Sequence, residues 1–274
     1  MNTTVKRSLV GLVFLAVMVG SLLWGQGLWI PVFVVILTES MWEFFSITTG
    51  AKRRPAHWAA EALTCALFIL SMLVAEEVLP PAWMSLGLVG LLLLMLVMVL
   101  DHTDFKDYAY IFTALLYIGL PVALSPFMVF KGETFDGTLM LAFFIVIWAS
   151  DTGAYCFGML FGQKLWPAKL CPAISPKKSW AGAVGGMVAS LLAAYILKLV
   201  GWLPYSLVHV LILAAVMNVL GVFGDLFESL WKRQAGVKDS GNLLPGHGGL
   251  LDRFDSSLFA MPAGYVYLLL NGLI

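Results

Sequence analysis

The segment 225–255 contains the residue types best suited to chemistry, and it reads DLFESLWKRQAGVKDSGNLLPGHGGLLDRFD in an otherwise apolar chain. Its charged side chains are Asp225, Glu228, Lys232, Arg233, Lys238, Asp239, Asp252, Arg253 and Asp255. Charge beside segments of hydrocarbon length is costly unless it has a function. Carboxylates bind divalent cations, Lys and Arg bind phosphate, and glycines let the backbone approach a ligand. The segment therefore indicates phosphoryl chemistry at a membrane surface.

The first part of this segment predicts a helix, DLFESLWKRQ, that begins at Asp225. At a period of 3.6 residues, one face carries Asp225, Glu228, Ser229, Lys232 and Arg233. A face that is acidic at one end and basic at the other suits a metal ion beside phosphate oxygens. The alternative is a solvated helix face with i,i+4 pairs, such as Glu228 with Lys232.

The second part, GVKDSGNLLPGHGG, is rich in turn formers. Glycines around His247 would let backbone N–H groups reach an anion, although a loop histidine is more often structural or solvated. In the following LLDRFD, Asp252 and Asp255 are three residues apart, so they face the same way if the last helix has already begun. Such a pair suits Mg²⁺. Helix capping by these acids is the alternative, and both roles are compatible.

A second region of polar residues precedes this one. Asp151 lies well inside an apolar run, and an intramembrane carboxylate indicates function by default. The nearby Gly153, Gly158 and Gly162 favour close helix packing. After that run, Lys177 and Lys178 form a compact basic loop that could hold a triphosphate or anionic lipid headgroups. Positive charge that fixes membrane topology is the alternative role.

The composition determines which elements position these residues. Hydrophobic residues make up 61% and charged residues 12% of the 274 residues, and mean hydropathy is +0.92. A soluble domain has about a quarter charged residues, so we expect an all-α, polytopic integral membrane protein. The apolar runs predict about nine transmembrane helices, near 7–24, 28–48, 58–76, 82–100, 108–128, 138–162, 180–200, 204–224 and 256–273.

We expect one membrane domain over 1–274. Its N-terminal helices, 1–137, carry less charge, and its catalytic helices and loops occupy 138–274, with long cytoplasmic loops at 163–179 and 225–255. If the N-terminus is cytoplasmic, only two of the 16 Lys and Arg residues, Lys131 and Lys198, fall near the outer face of the membrane. This bias predicts an N-terminus inside, a C-terminus outside and an odd number of spans. The first helix lacks an A-x-A-like cleavage site, which indicates that it is retained.

Several motifs together resemble one family. They are Ser229-x-x-Lys232-Arg233, Lys238-Asp239-Ser240, Leu244-Pro245-Gly246-His247-Gly248-Gly249 and Leu251-Asp252-Arg253-Phe254-Asp255, preceded by D-T-G-A-Y at 151–155 and S-P-K-K-S-W at 175–180. In this order and spacing they resemble the signature of phosphatidate cytidylyltransferases (CDP-diacylglycerol synthases). Ala181 departs from the polar or acidic residue expected after the tryptophan, which puts any role of that side chain in doubt.

The resemblance implies that CTP and phosphatidate react to give CDP-diacylglycerol and pyrophosphate. It implies Mg²⁺, with room for a second cation, on Asp225, Asp252 and Asp255, and Asp151 as a further ligand or an anchor behind them. The catalytic residues would be Asp225, Asp252, Asp255, Lys238 and His247. Substrate contacts would come from Lys177, Lys178, Ser229, Lys232, Arg233, Asp239, Gly248, Gly249 and Arg253.

The partners expected from this reading are CTP, phosphatidate and membrane lipids, with no nucleic acid; a homodimer is left open. The site would open to the cytoplasm from a multi-pass protein of the cell (inner) membrane. One rival is a CTP-dependent polyprenol or phytol kinase, which would transfer the γ-phosphate. A rival of another class is a cation-coupled transporter that uses Asp151 and the loop acids as an ion path, although the sequence has no convincing internal repeat.

Overall fold

The computed structural model describes residues 3–50, 53–162, 165–246 and 248–274. The α-helices of these parts are α1 (Thr3–Trp24), α2 (Gln26–Thr48), α3 (Pro55–Ala75), α4 (Leu86–Leu100), α5 (Phe105–Ala114), α6 (Leu120–Leu124), α7 (Pro126–Val129), α8 (Thr138–Leu160), α9 (Trp180–Leu199), α10 (Leu207–Gln234) and α11 (Ser257–Leu270). Short 3₁₀ turns occupy Pro81–Ser85 and Leu251–Arg253, and a π-turn occupies Leu115–Gly119.

Two short antiparallel hairpins interrupt the helices. Strands β1 (Phe130–Lys131) and β2 (Thr134–Phe135) form the first hairpin, and β3 (Lys169–Cys171) and β4 (Ser175–Ser179) form the second. The second hairpin lies in the predicted loop 163–179. The sequence did not predict it, because its strands are short and partly basic and lack the alternating apolar pattern of a half-buried strand.

Seven helical segments within the described residues are long and apolar enough to cross a membrane. They are Gln26–Thr48, Pro55–Ala75, Pro81–Leu100, Phe105–Val129, Thr138–Leu160, Trp180–Leu199 and Leu207–Gln234. Two shorter apolar helices, Ser8–Trp24 and Ser257–Leu270, coincide with the first and last predicted spans. The all-α, multi-pass membrane class is confirmed, whereas the number nine and the orientation stay predictions.

One predicted element boundary is wrong, and one condition stated for the sequence is not met. Helix α10 continues without interruption from Leu207 to Gln234, so Asp225 lies inside it and does not begin a new helix. Helix α11 begins only at Ser257, and Asp252 lies in the preceding 3₁₀ turn. The condition under which Asp252 and Asp255 would share a helical turn is therefore not met.

The chain clusters into two compact units. Unit 1 comprises residues 1–137 together with 239–253, and unit 2 comprises 138–238 together with 254–274. The border at 137/138 is also where the sequence divides less charged from more charged helices. Residues 239–253, however, belong with the N-terminal helices. The expectation of a single domain stays a prediction.

Unit 1 has an aromatic core around Trp29. The Trp29 ring stacks on Phe33 and Phe68, with ring centroids 4.7 and 5.4 Å apart, and meets Phe130 edge-on with centroids 5.8 Å apart. Aromatic pairs at such distances stabilise a core beyond the area that they bury. This cluster fixes the helix pair α2 and α3 and the hairpin β1–β2 that follows α7.

Unit 2 depends on small residues where α8 meets α9. A Cβ on Gly153 would overlap Ala189 and the carbonyl oxygen of Gly185, and one on Gly185 would overlap Phe157. Small residues let two helix backbones approach closely, and such approach replaces the hydrophobic drive that is missing within lipid. The predicted packing role of Gly153 is confirmed, and it places the carboxylate of Asp151 on a rigid helix pair.

Candidate functional site

The hairpin β3–β4 of unit 2 brings lysines to one end of the α8–α9 pair. Lys169 lies on β3, and Lys177 and Lys178 lie on β4. The next residue, Ser179, caps α9, because its Oγ accepts a hydrogen bond from Gly182 N at 3.1 Å. A Cβ on Gly162 would overlap this Oγ, so the end of α8 fits closely against the cap.

A cleft of about 670 Å³ opens between the hairpin and the helices of unit 2. Its charged lining residues are Asp151, Lys169, Lys177, Lys178 and Asp225. The cleft thus combines groups that bind phosphate with groups that bind cations. It brings Asp225, from the first polar region of the sequence, together with Asp151 and the lysines of the second.

Asp225 lies on α10 at the wall of the cleft and is held by two partners. Lys178 Nζ lies 2.5 Å from Asp225 Oδ2, and Ser229 Oγ donates to Asp225 Oδ1 at 3.3 Å. The ion pair joins β4 to α10, so the basic loop and the acidic helix face each other across the cleft. Lys178 is 23% exposed at its side chain, which keeps it accessible to a ligand in the cleft.

Asp255 lies in the turn before α11, and its carboxyl group has a strongly shifted pKa. Burial, followed by the nearby carboxylates of Asp225 and Asp151, raises the pKa of Asp255 from 3.8 to about 7. The Ser256 N–H, which donates to Asp255 Oδ1 at 2.6 Å, and the charge of Lys232 act in the opposite direction. Carboxyl groups whose pKa is strongly raised by burial and by a nearby charge cluster at functional sites. A Cβ on Gly224 would overlap the Asp255 carbonyl oxygen, so α10 needs glycine there.

These acids suit Mg²⁺ by their chemistry. No group of three or more Asp, Glu, His or Cys side chains in the described parts of the chain is arranged to hold a metal ion. Mg²⁺ needs no such cage, because it usually binds one or two carboxylates and completes its shell with water and substrate phosphates. The oxygen donors of Asp225 and Asp255 fit that mode, and Asp151 adds negative charge beside them.

Glu228 and Lys232 form a buried ion pair on α10. Lys232 Nζ lies 2.6 Å from Glu228 Oε2, and the side chains are 9% and 0% exposed. The predicted i,i+4 pair is therefore present, but it is buried and not solvated. Arg233 is exposed, and its guanidinium donates to Val237 O at 3.0 Å beyond the end of the helix.

Replacement of Lys232 by Met is expected to lower the thermal stability of the protein. It leaves Glu228 as a buried charge without its ion-pair partner, and breaking a buried pair costs about 3–5 kcal/mol. Thermal unfolding in detergent should show a clearly lower Tm for K232M than for the wild type. The double variant E228Q/K232M should recover much of the loss; an unchanged Tm for K232M would contradict a structural role for the pair.

In unit 1, the segment 239–253 folds around the carboxylate of Asp252. Asp252 Oδ2 accepts hydrogen bonds from Ser240 N and Gly249 N, both at 2.8 Å. Leu244 N donates a hydrogen bond to Gly248 O at 3.1 Å. Gly248 has a φ of 82° and a Cβ there would overlap Asp252 Oδ2, so this position requires glycine.

The predicted site residues thus fall into two groups. Asp151, Lys177, Lys178, Ser229, Lys232, Arg233, Lys238, Asp225 and Asp255 belong to unit 2, and Asp239, Gly248, Gly249, Asp252 and Arg253 belong to unit 1. Lys238, Asp239 and Arg253 are exposed. His247 lies outside the described residues. The catalytic, binding and metal roles of these residues stay predictions.

Two residues with a place in this arrangement were not predicted from the sequence. Lys169 lines the cleft beside Lys177 and Lys178. In the sequence it contributes only to the Lys and Arg bias that predicts membrane orientation, because it belongs to no motif. Glu43 lies within the predicted span 28–48, and its carboxylate contacts the segment 239–253. The position of Glu43 inside a predicted membrane span could have identified it, because an ionisable residue within a membrane helix indicates function.

Comparison with known proteins agrees with this chemistry. The profile of the cytidylyltransferase family matches residues 5–271. A phosphatidate cytidylyltransferase of Bacillus subtilis is 40% identical over 190 residues, which are 68% of this chain and 68% of the relative. The same function is named for relatives in Staphylococcus haemolyticus, 39% identical over 59% of each chain, and Haemophilus influenzae, 45% identical over 45% of this chain and 43% of the relative. A family profile that covers nearly all of the sequence, together with these relatives, shows that the chain belongs to the cytidylyltransferase family.

Proposed function

We propose that this enzyme transfers a cytidylyl group from CTP to phosphatidate, giving CDP-diacylglycerol and pyrophosphate for phospholipid synthesis. The observation that carries the proposal is the cleft of unit 2, in which Lys169, Lys177 and Lys178 face the carboxylates of Asp151 and Asp225. The names of the curated relatives support the same substrates.

In this reaction a phosphatidate oxygen attacks the α-phosphorus of CTP, and pyrophosphate leaves. The attacking group is already an anion, so the site needs no strong general base. Catalysis then depends on positioning and on neutralising charge. Lys177 and Lys178 on β4 would hold the phosphates of CTP. The ion pair with Asp225 would orient the ammonium group of Lys178 between the Asp225 carboxylate and a phosphate oxygen.

Asp225 and Asp255 would hold Mg²⁺, with Asp151 beside them. When bound, the ion would supply positive charge that offsets the charge developing on the leaving pyrophosphate. Without a cation, burial and then the charges of Asp225 and Asp151 disfavour the ionised form of Asp255 and raise its pKa. A second cation in the cleft is part of the proposal, as are the remaining substrate contacts predicted from the sequence.

We also propose nine membrane crossings, with the N-terminus and the site on the cytoplasmic side. One contact within unit 1 supports this arrangement. Arg54, which precedes α3, lies 3.8 Å from Asp101 after α4 and 3.3 Å from Asp107 on α5. The connection before α3 and the connection between α4 and α5 therefore lie at the same end of the helices. This agrees with two membrane crossings, by α3 and by α4, between them. The bias of Lys and Arg favours the cytoplasm for that end.

Labelled CTP distinguishes this reaction from its nearest rival. Membranes that contain the enzyme, incubated with phosphatidate, Mg²⁺ and CTP labelled at the α-phosphorus, are expected to yield labelled lipid, because the nucleoside monophosphate is transferred. CTP labelled at the γ-phosphorus should yield labelled pyrophosphate and unlabelled lipid. Thin-layer chromatography of the lipid extract measures label in the lipid, and chromatography of the aqueous phase measures labelled pyrophosphate.

Membranes that lack the enzyme are the control for this experiment. Label from the γ-position in the lipid would contradict the proposal and indicate a CTP-dependent lipid kinase. If no lipid is labelled from either form of CTP, phosphatidate is not the substrate. The protein would then be a member of the same family that uses another acceptor.

A further inference from the structure

Glu43 is a buried carboxylate of α2 that is surrounded by donors from a distant segment. It is 3% exposed. Its Oε2 accepts hydrogen bonds from Ser240 Oγ at 2.7 Å and Leu251 N at 2.9 Å, and its Oε1 accepts one from Leu250 N at 2.8 Å. Burial of a carboxylate is costly unless donors compensate it. Here donors to both oxygens come from the segment 239–253, so the shape of that segment and the burial of Glu43 depend on each other.

The backbone of the segment fits closely around this carboxylate. A Cβ on Gly241 would overlap Glu43 Oε1, and a Cβ on Gly249 would overlap Glu43 Oε2 and Ser240 Oγ. Both positions therefore require glycine for packing. Gly249 was predicted from the sequence to approach a ligand, and the structure provides a second reason for its lack of a side chain.

Hydrogen bonds connect Glu43 to Asp252 through Ser240. The Ser240 hydroxyl donates to Glu43 and accepts from Asp252 N at 3.2 Å. The Ser240 N–H donates to Asp252 Oδ2 at 2.8 Å. A shift of the Glu43 carboxylate would thus move Ser240 and, with it, the carboxylate of Asp252. All of these groups lie within unit 1.

We propose that Glu43 is a positioning residue for the transfer of the cytidylyl group. It acts through the segment 239–253 and not by contact with CTP: the carboxylate fixes Ser240 and the backbone at Leu250 and Leu251, and these fix the direction of Asp252. The proposal rests on the function proposed above, and it assigns a role in the reaction to a membrane helix outside the family motifs.

The variant Glu43→Gln tests this role with little change in size. A glutamine side chain has one acceptor oxygen, and its NH₂ group must face at least one of the three donors. We expect kcat/KM for CTP to fall roughly 10- to 100-fold, because small displacements of a positioned group reduce rates by such factors. Glu39→Gln, one turn earlier on α2, is the matched control and should keep wild-type activity.

Ser240→Ala is a second variant that removes only the hydroxyl in the middle of the network. It should lower kcat/KM in the same direction, and E43Q/S240A should be no worse than the more damaging single variant, because both changes interrupt one path. If E43Q fails to accumulate in membranes, the kcat/KM of S240A becomes the test of the positioning role. Wild-type kcat/KM in S240A would then overturn the proposal.

Hydrogen exchange of the purified protein provides a readout that is independent of activity. Peptides that contain Leu250 and Leu251 should exchange faster in E43Q than in the wild type and in E39Q. Faster exchange with undiminished kcat/KM would overturn the positioning role. If the wild type itself makes no labelled lipid from CTP and phosphatidate, the proposed function has failed; unchanged exchange in E43Q would show separately that Glu43 does not hold the segment.

Discussion

Asp255→Asn is expected to reduce CDP-diacylglycerol synthesis by roughly 10²–10³-fold while the protein still inserts into membranes. Asp255 lies beside Asp225 and Asp151, and burial together with these neighbours raises its pKa to about 7. An amide retains the size of the side chain but loses the negative charge that would bind Mg²⁺. Incorporation of α-labelled CTP into lipid, divided by the amount of enzyme in the membrane, measures the effect.

The matched control for this variant is Asp136→Asn. Asp136 follows the β1–β2 hairpin of unit 1, where it pairs with Lys131 at 3.7 Å, and its loss should leave activity unchanged. Titration with Mg²⁺ distinguishes a metal role from a purely structural one. Residual activity of D255N should need more Mg²⁺ for half-maximal rate, and activity near the wild-type level would end the assignment of Asp255 to the metal.

Asp255→Asn should also raise the thermal stability of the enzyme without Mg²⁺. Since folding raises the pKa of this carboxyl group from 3.8 to about 7, the ionised form is disfavoured in the folded state. The resulting penalty is absent below pH 3.8, grows as the pH rises and is complete above pH 7. The gain in Tm from the neutral Asn should therefore be larger at pH 8 than at pH 5, with EDTA present. If the Tm of D255N at pH 8 were lower than that of the wild type, burial and the neighbouring carboxylates would not destabilise the ionised form of Asp255.

Lys178→Met is expected to lower kcat/KM for CTP by about 100-fold. The ammonium group lies 2.5 Å from Asp225 Oδ2 at the wall of the cleft, so its loss removes a positive charge from the phosphates and leaves Asp225 without its ion partner. The uncharged side chain keeps nearly the same length. Steady-state kinetics with CTP varied at saturating phosphatidate measure the effect.

Two further variants separate charge from position. Lys178→Arg keeps the charge in a planar group that does not reproduce the contacts of an ammonium, so intermediate activity is expected. Lys131→Met removes a lysine from the β1–β2 hairpin and should have no effect on the rate. If K178M and K131M behaved alike, the β3–β4 hairpin would have no part in binding CTP.

Much of the fold was predictable because a membrane requires long apolar helices. Each predicted span coincides with a helical region, yet the span at 108–128 is divided into α5, a π-turn, α6 and α7. Hydropathy does not reveal such breaks, because the residues remain apolar while the backbone changes its hydrogen bonding. The start of a helix at Asp225 was wrong for the opposite reason: charge there suggested a boundary, but α10 tolerates the acid because Lys178 and Ser229 pair with it.

The candidate site was predictable in composition and only in part in geometry. The motif resemblance correctly indicated the family, and Lys177, Lys178 and Asp225 lie together in unit 2. The assignment of residues 239–253 to the N-terminal unit could not be predicted, because it depends on hydrogen bonds from Ser240 and Leu250 to a carboxylate about 200 positions earlier. Local patterns carry no information about such pairings.

The burial of Glu43 has a consequence for how the protein is made. Its partner Ser240 lies 197 positions later in the chain, and ribosomes add about 5–20 residues per second. For roughly 10–40 s, therefore, α2 is in the bilayer with a carboxylate whose final donors do not yet exist. During that interval the acid must be protonated, hydrated or held by another protein. A segment that is synthesised 197 positions later thus provides the hydrogen-bond donors for a carboxylate on a helix inserted well before it.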